Sequence, residues 1–335
     1  MPEIDITYTT YGTFDPGRNN VVWVCHALTA NADAAEWWPG LVGPGKFFDP
    51  EKYFIVCANM LGSCYGATCA DSIHPETGKP YGRDFPLITI RDMIRSHEIL
   101  REHLGIEKIF LCLGGSMGGQ QSVEWSIMNP DLIEYLCLIA CNAQHSPWGI
   151  AFNEAQRMAL LADASLYSGT PDAGKAGLEA ARAIGMISYR HYNTFGQTQQ
   201  DEHNNKLENF RAATYQRYQG LKLSRRFSPR AYITLSKAMD SHNVGRNRPS
   251  VEAALGTIRS KTLVVGIQSD VLFPVEEQIR LAHHIPGAHL EVIDSMYGHD
   301  GFLLENDLLA QAITSLLEEK HPDGKVRVSK KKVKK

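Results

Sequence analysis

The sequence predicts an α/β fold, a mostly parallel sheet flanked by helices, with a helical segment inserted between two of its strands. Three observations carry this expectation. Short apolar, β-branched runs alternate with helix-periodic stretches in the first half of the 335-residue chain. The same alternation returns after residue 260. Between the two lies a stretch of about a hundred residues without clear strands. Strands separated by helices imply parallel pairing with both sheet faces covered.

In order along the chain, residues 5–11 alternate as a strand does, and 20–25 (NVVWVC) and 53–58 (YFIVCA) read as short buried strands. Residues 90–104 carry Ile, Met and Leu at helical spacing. A strand is expected at 108–113, a helix at 119–128 and another strand at 136–140. The segment 147–250 is rich in helix formers and charges, and loops are expected near 169–174 and 245–250. Strands then return at 261–267 (KTLVVGI) and 289–293 (HLEVI), with a helix at 274–284 between them and an amphipathic helix at 307–319. The expected organisation is a core of residues 1–146 and 251–322, a helical insertion at 147–250 and a basic, disordered tail at 323–335.

The most informative segment is KIFLCLGGSMGGQQSVEW at 108–125. It places G-x-S-x-G between a strand and a helix, the setting of a nucleophile elbow. In so tight a turn a Cβ two residues before or after Ser116 would clash, so Gly114 and Gly118 are needed. The serine itself is strained and exposed, at the positive end of the following helix. A serine hydroxyl needs a base to take its proton, and that base needs a carboxylate to orient it. Asp270 falls just past the strand at 261–267. His299 lies in the loop after the strand at 289–293. Singly, Asp270 reads as a capping aspartate and His299 as a loop histidine. Together they complete the order Ser, Asp, His, all at strand C-termini, and point to acyl transfer through a seryl ester. The backbone N–H of Met117 and that of Leu28, in HALT after an early strand, are the expected oxyanion donors.

Composition sets the frame. A hydrophobic fraction of 43% and a charged fraction of 21% are ordinary for a globular protein, and a net charge of −3 gives no nucleic-acid-binding surface. The seven cysteines are odd in number, form no C-x-x-C and lie partly in strand runs, which argues against disulfides and for a reducing compartment. No Cys/His cluster has zinc spacing, so no metal is expected. There is no signal-peptide pattern and no apolar run approaching the roughly 20 residues of a membrane span. A cytoplasmic protein is expected.

The strings around these residues resemble the homoserine O-acetyltransferase family over nearly the whole chain: HALTANADAAEWWPGLVGPGKFFD (26–49), CANMLGSCYGAT (57–68), YGRDFPLITIRDMI (81–94), GGSMGGQQSVEW (114–125), RYQGLKLSRRF (217–227), AMDSHNVGR (238–246), GIQSDVLFPVEEQ (266–278) and YGHDGFL (297–303). The resemblance implies an α/β-hydrolase fold with a helical lid, no permanently bound cofactor, and commonly a homodimer joined through the lids. It implies a ping-pong reaction in methionine biosynthesis. Acetyl-CoA, as co-substrate, acylates Ser116, and the γ-hydroxyl of L-homoserine then attacks the ester with His299 as base. By resemblance Arg182 and Asp300 hold the homoserine carboxylate and ammonium, with Tyr189 lining the same pocket and Arg190 and Arg211 as competing arginines. The departures are Ala30 where glycine is usual and Cys69-Ala70 where Gly-Pro is usual, and the chain begins near the family's second strand, so that an N-terminal strand is expected to be short or missing. The alternatives within the same fold are an O-succinyltransferase and a serine O-acyltransferase, followed by a carboxylesterase and a non-catalytic ligand-binding member.

Overall fold

The computed structural model describes residues 1, 3–203, 205–318 and 327–330. Its strands are β1 (Tyr8–Tyr11), β2 (Val21–Cys25), β3 (Phe54–Ala58), β4 (Ile109–Gly115), β5 (Ile133–Ile139), β6 (Lys261–Ile267), β7 (His289–Asp294) and β8 (Arg327–Lys330). They form one sheet in the order β1-β3-β2-β4-β5-β6-β7-β8, and only β1 runs antiparallel to its neighbour. The helices are α1 (Ala34–Trp37), α2 (Ile90–His103), α3 (Met117–Met128), α4 (Pro147–Leu161), α5 (Lys175–Tyr189), α6 (Tyr192–Gln199), α7 (Arg211–Ser224), α8 (Pro229–Asp240), α9 (Val251–Leu255), α10 (Val275–His284), α11 (Gly301–Leu304) and α12 (Asn306–Leu317).

The inner strands are apolar along their whole length because both faces are covered. In β2, Val21, Trp23 and Cys25 enter one core with Ile94, Trp125 and Leu281, while Val22 and Val24 enter the other with Trp38, Phe48 and Leu309. Successive side chains on a strand point to opposite faces, so the unbroken run VVWVC feeds both cores. Trp23 and Trp125 meet edge to face at 4.9 Å. A third core lies where Leu28, Met60 and Met117 of the sheet unit meet Leu160, Leu178, Tyr232 and Leu235 of the helices that follow β5.

Those helices are capped as their sequences require. Ser146 and Ser228 each accept a backbone N–H at the start of α4 and α8, where Pro147 and Pro229 occupy the first turn. Polar groups hold the helical layer together and tie it to the sheet unit. At the end of α8, Asp240 accepts Asn153 Nδ2 at 2.8 Å and also pairs with Arg157. Two residues on, His242 Nε2 meets the Asn142 carbonyl at 3.0 Å. Arg248 then reaches back to Glu124 on α3, which Arg91 of α2 also holds.

Two sequence expectations change. Residues 5–7 do not join the strand, because Asp5 and Thr7 bond instead to the loop at Gly66 and Thr68. The tail, expected to be disordered over 323–335, supplies β8 at Arg327–Lys330, which pairs in parallel with β7. The open edge of β7 leaves backbone N–H and C=O groups unpaired, and any extended segment that reaches it satisfies them. The remaining tail positions lie outside the described residues.

Glu124 is buried between two guanidinium groups, with Arg91 Nε and Arg248 Nη2 each at 2.7 Å. Glu124→Ala leaves both cations without their carboxylate. The expected loss of stability is about 3 kcal/mol, read from urea unfolding midpoints.

Candidate active site

The site starts from a strained backbone. Ser116 sits between β4 and α3 at φ 57° and ψ −126°, a conformation non-glycine residues seldom adopt. Its flanking glycines have no alternative. A Cβ on Gly118 would lie 2.1 Å from the Cys25 carbonyl oxygen, far inside van der Waals contact, and one on Gly114 would overlap the Gly118 backbone. Gly119 is equally constrained, with the Cys141 sulfur 2.5 Å from where its Cβ would lie. Strand, turn and helix therefore converge on the end of β2, where His26, Ala27, Leu28 and Thr29 begin.

Met117 is the first residue of α3, and its N–H has no intrahelical acceptor. Leu28 and Ser116 line one pocket, together with Ala27, Thr29, Asn153, Gln156, Arg182, Tyr189, Met239, Leu272, His299, Asp300, Phe302 and Leu303. Its walls thus come from the strand ends and from α4, α5 and α8 of the helical layer. The space between these residues, part of it open to solvent, is about 570 Å³.

His299 is buried, and its Nδ1 is 2.6 Å from Asp270 Oδ2. Asp270 is itself fixed by the backbone N–H groups of Leu272 at 2.8 Å and Phe273 at 2.9 Å, both to Oδ1. The imidazole stacks on Phe273, with ring centroids 5.2 Å apart, and meets Phe302 edge-on at 5.3 Å. Burial by itself would push the His299 pKa down. The charge and hydrogen bond of Asp270, with Asp300 adding to them, outweigh it and hold the pKa above the ordinary histidine value. Such an imidazole keeps Nε2 free to take and return a proton.

The three groups read from the sequence as Ser, Asp and His therefore share one site, with Ser116 and His299 on the pocket and Asp270 behind the imidazole. Arg182, Asp300 and Tyr189 line it too. Arg182 Nε is buried without a hydrogen-bond partner, and its guanidinium lies 5.2 Å from the Tyr189 ring centroid. Asp300 is 3.2 Å from Arg190 Nε. Burial raises the Asp300 pKa despite the nearby Arg190, Arg182 and His299, which pull it down. Arg211 lies elsewhere, against Asp201. Sequence reasoning missed Asn153 and Gln156, which enter the pocket from α4. A polar residue on a helix carries no mark of whether it faces solvent or a cavity. Among the described residues no group of three or more His, Cys, Asp or Glu could hold a metal ion.

An alpha/beta hydrolase fold family model matches residues 20–306. The chain is 49% identical over 319 residues to a homoserine O-acetyltransferase of Cyclobacterium marinum, covering 95% of this chain and 91% of that one. It belongs to the homoserine O-acetyltransferase family. The crystal structure of homoserine O-acetyltransferase from Bacillus anthracis superimposes with a TM-score of 0.86 at 23% identity, over 94% and 92% of the two chains. Esterase E22 does so at 0.83 and 24%, over 92% of each chain. At these identities the two structures speak only to the fold. In this chain Ser116 of the elbow lines the same pocket as Arg182 and Asp300, and no helix among the described residues is long and apolar enough to cross a membrane.

A base must be neutral to accept a proton, so the acid limb of kcat/KM against pH is expected above the ordinary histidine pKa of about 6.5. Asp270→Asn removes the group that raises it. The limb should move to lower pH while the plateau falls by about 10⁴-fold, because the asparagine no longer holds the productive tautomer. A limb that stays in place in this variant would mean that Asp270 does not control the titrating group.

Proposed function

We propose that this protein transfers an acetyl group from acetyl-CoA to the γ-hydroxyl of L-homoserine, through an acetyl ester on Ser116. The observation that carries this reading is the pairing of a seryl elbow with two opposite charges in one pocket. Homoserine is a zwitterion. The Arg182 guanidinium, whose Nε has no hydrogen-bond partner, suits its carboxylate, and Asp300 suits its ammonium. An acyl-enzyme that reacts only with water has no use for that arrangement. The 49% identity over nearly the full chain supports the same activity.

In the first half-reaction His299 Nε2 takes the Ser116 hydroxyl proton as Oγ attacks the thioester carbonyl. The oxyanion is held by the N–H groups of Leu28 and Met117. Collapse expels CoA, whose sulfur takes the proton from His299. In the second, His299 takes the proton of the homoserine γ-hydroxyl, that oxygen attacks the ester, and Ser116 leaves with the proton returned. Asp270 stabilises the imidazolium formed in each half. The helices of residues 147–250 act as a lid that carries Arg182 and Tyr189 to the chemistry and keeps water from the ester.

We also infer that two copies pair through these helices, in the cytoplasm, where the cysteines remain free thiols. Phe210, Tyr218 and Leu221 form an exposed apolar stripe on α7 and its approach, with Tyr192, Met158 and Ile187 exposed on neighbouring helices. Sedimentation equilibrium should give twice the monomer mass. The double substitution Tyr218→Asp, Leu221→Asp should give the monomer, whereas an unchanged dimer would place the interface elsewhere.

The reaction is tested by thiol release from acetyl-CoA and from succinyl-CoA, each with and without L-homoserine. Homoserine-dependent release from acetyl-CoA, abolished by Ser116→Ala, is expected. Arg182→Met should lower kcat/KM for homoserine about thirty-fold or more, equivalent to about 2 kcal/mol. Release that does not depend on homoserine would make water the acceptor and remove the roles given to Arg182 and Asp300.

A further inference from the structure

His26 and Gln121 are both wholly buried and touch neither of the substrate charges nor the Ser116–His299–Asp270 set. His26 bonds the peptide plane that carries the Leu28 N–H, and Gln121 bonds the planes next to the two from which an oxyanion would be held. We propose that His26 and Gln121 are positioning residues that set the direction of the Leu28 and Met117 N–H groups. The inference rests on the seryl-ester reading above and adds the residues that aim its two donors.

In a trans peptide the C=O and N–H lie in one plane and point in opposite directions. The Leu28 N–H shares its plane with the Ala27 carbonyl. That carbonyl meets His26 Nδ1 at 2.9 Å and accepts the Ala30 N–H at 3.0 Å. With its oxygen held twice, the plane cannot rotate, and the N–H is fixed on the opposite side. The Met117 N–H shares its plane with the Ser116 carbonyl, which accepts the Gln120 N–H at 3.1 Å.

The network fixes the state of the imidazole. A carbonyl can only accept, so Nδ1 carries the hydrogen. Nε2 faces the Met60 N–H at 3.2 Å and must accept. Met60 thereby selects the tautomer that grips Ala27. Burial holds the His26 pKa down at about 4, so this neutral form persists across the working range.

Gln121 ties together the two peptide planes adjacent to these, the one before the Ala27–Leu28 plane and the one after the Ser116–Met117 plane. From α3 its Nε2 donates to the His26 carbonyl at 3.1 Å and to the Met117 carbonyl at 3.2 Å. The amide cannot be flipped, because its oxygen would then face two carbonyl oxygens. In this orientation Oε1 is buried without a partner. A buried acceptor left unpaired is destabilising. Here it accompanies two donors spanning the loop after β2 and the first turn of α3, the elements that carry the two N–H groups.

The two nitrogens of His26 can be separated by substitution. Asparagine places its amide nitrogen where Nδ1 lies, and glutamine reaches only the Nε2 position. His26→Asn and His26→Gln are therefore compared for kcat, for the KM of homoserine, and for the rate of Ser116 acetylation after rapid mixing with acetyl-CoA, read by mass spectrometry. His26→Gln is expected to lower kcat and the acetylation rate about 100-fold, the usual effect of losing one oxyanion donor, with KM little changed. His26→Asn should recover most of that loss. Equal losses in the two variants would mean that His26 only packs, and wild-type rates in His26→Gln would overturn the proposal outright. Gln121→Met keeps volume and removes both donors. Melting curves identify folded variants, and if neither histidine variant folds, a folded Gln121→Met with unchanged kcat overturns the proposal while one with reduced kcat and unchanged KM supports it. Ser116→Ala, run alongside, separates the two levels. If that variant is inactive while His26→Gln is normal, only the positioning fails. If it is active, the seryl-ester reading itself fails.

Discussion

The site depends on one close approach, that of the elbow backbone to the end of β2. Gly118 packs against the Cys25 carbonyl with no room for a side-chain carbon, and Gly114 has none against Gly118. This contact brings a strand, a turn and a helix start within reach of the loop at Ala27–Leu28. It also forces Ser116 to positive φ, and a backbone so strained persists only where its surroundings over-determine it. The buried cores on both sides of β2 and β4 supply that determination, with Trp23 against Trp125 on one face and Val24 with Leu113 on the other. Packing and chemistry are the same constraint at this point of the chain.

The electrostatics follow from burial. Asp270 and His299 are buried and Asp300 is mostly covered, and charge out of water is costly unless paired or hydrogen-bonded. Asp270 is hydrogen-bonded by two backbone N–H groups and the imidazole. His299 takes its raised pKa from carboxylates on both sides. Asp300 is balanced by arginines on α5 and at its end, Arg182 and Arg190. The helical layer thus contributes charge as well as cover. The bonds of Asp240 to α4, of His242 to Asn142 and of the Arg246 carbonyl to Arg91 explain why AMDSHNVGR reads as a distinctive string without being catalytic. Met239 faces the pocket, and the residues after it fasten the layer down.

Much of this was legible in the sequence because the physical demands were local. The run KTLVVGI admits few readings and becomes β6 to the residue. The glycines around Ser116 follow from steric need alone. Asp270 and His299 could be chosen among many acids and thirteen histidines because each follows a strand of the same parallel sheet. What escaped is set by tertiary partners. Residues 5–7 have strand alternation but bond to the 66–68 loop. Ala34–Trp37 is too short to show a period. The direction of Asn153 and Gln156 depends on how α4 packs. His26 was seen as part of a string, but its work lies in which groups its two nitrogens meet.

The strand β8 has a bearing on how the protein behaves in concentrated solution. β7 leads into the loop that carries His299, and one of its sides is paired with β6. Without β8 the other side would be a bare row of amide donors and acceptors, a template on which a neighbouring molecule could add its own strand. Pairing with Arg327–Lys330 occupies that row from within the same chain. A stretch that contributes nothing to the pocket therefore acts against intermolecular sheet growth. Chains cut back to residue 318 would retain every reacting group and yet be the ones to aggregate.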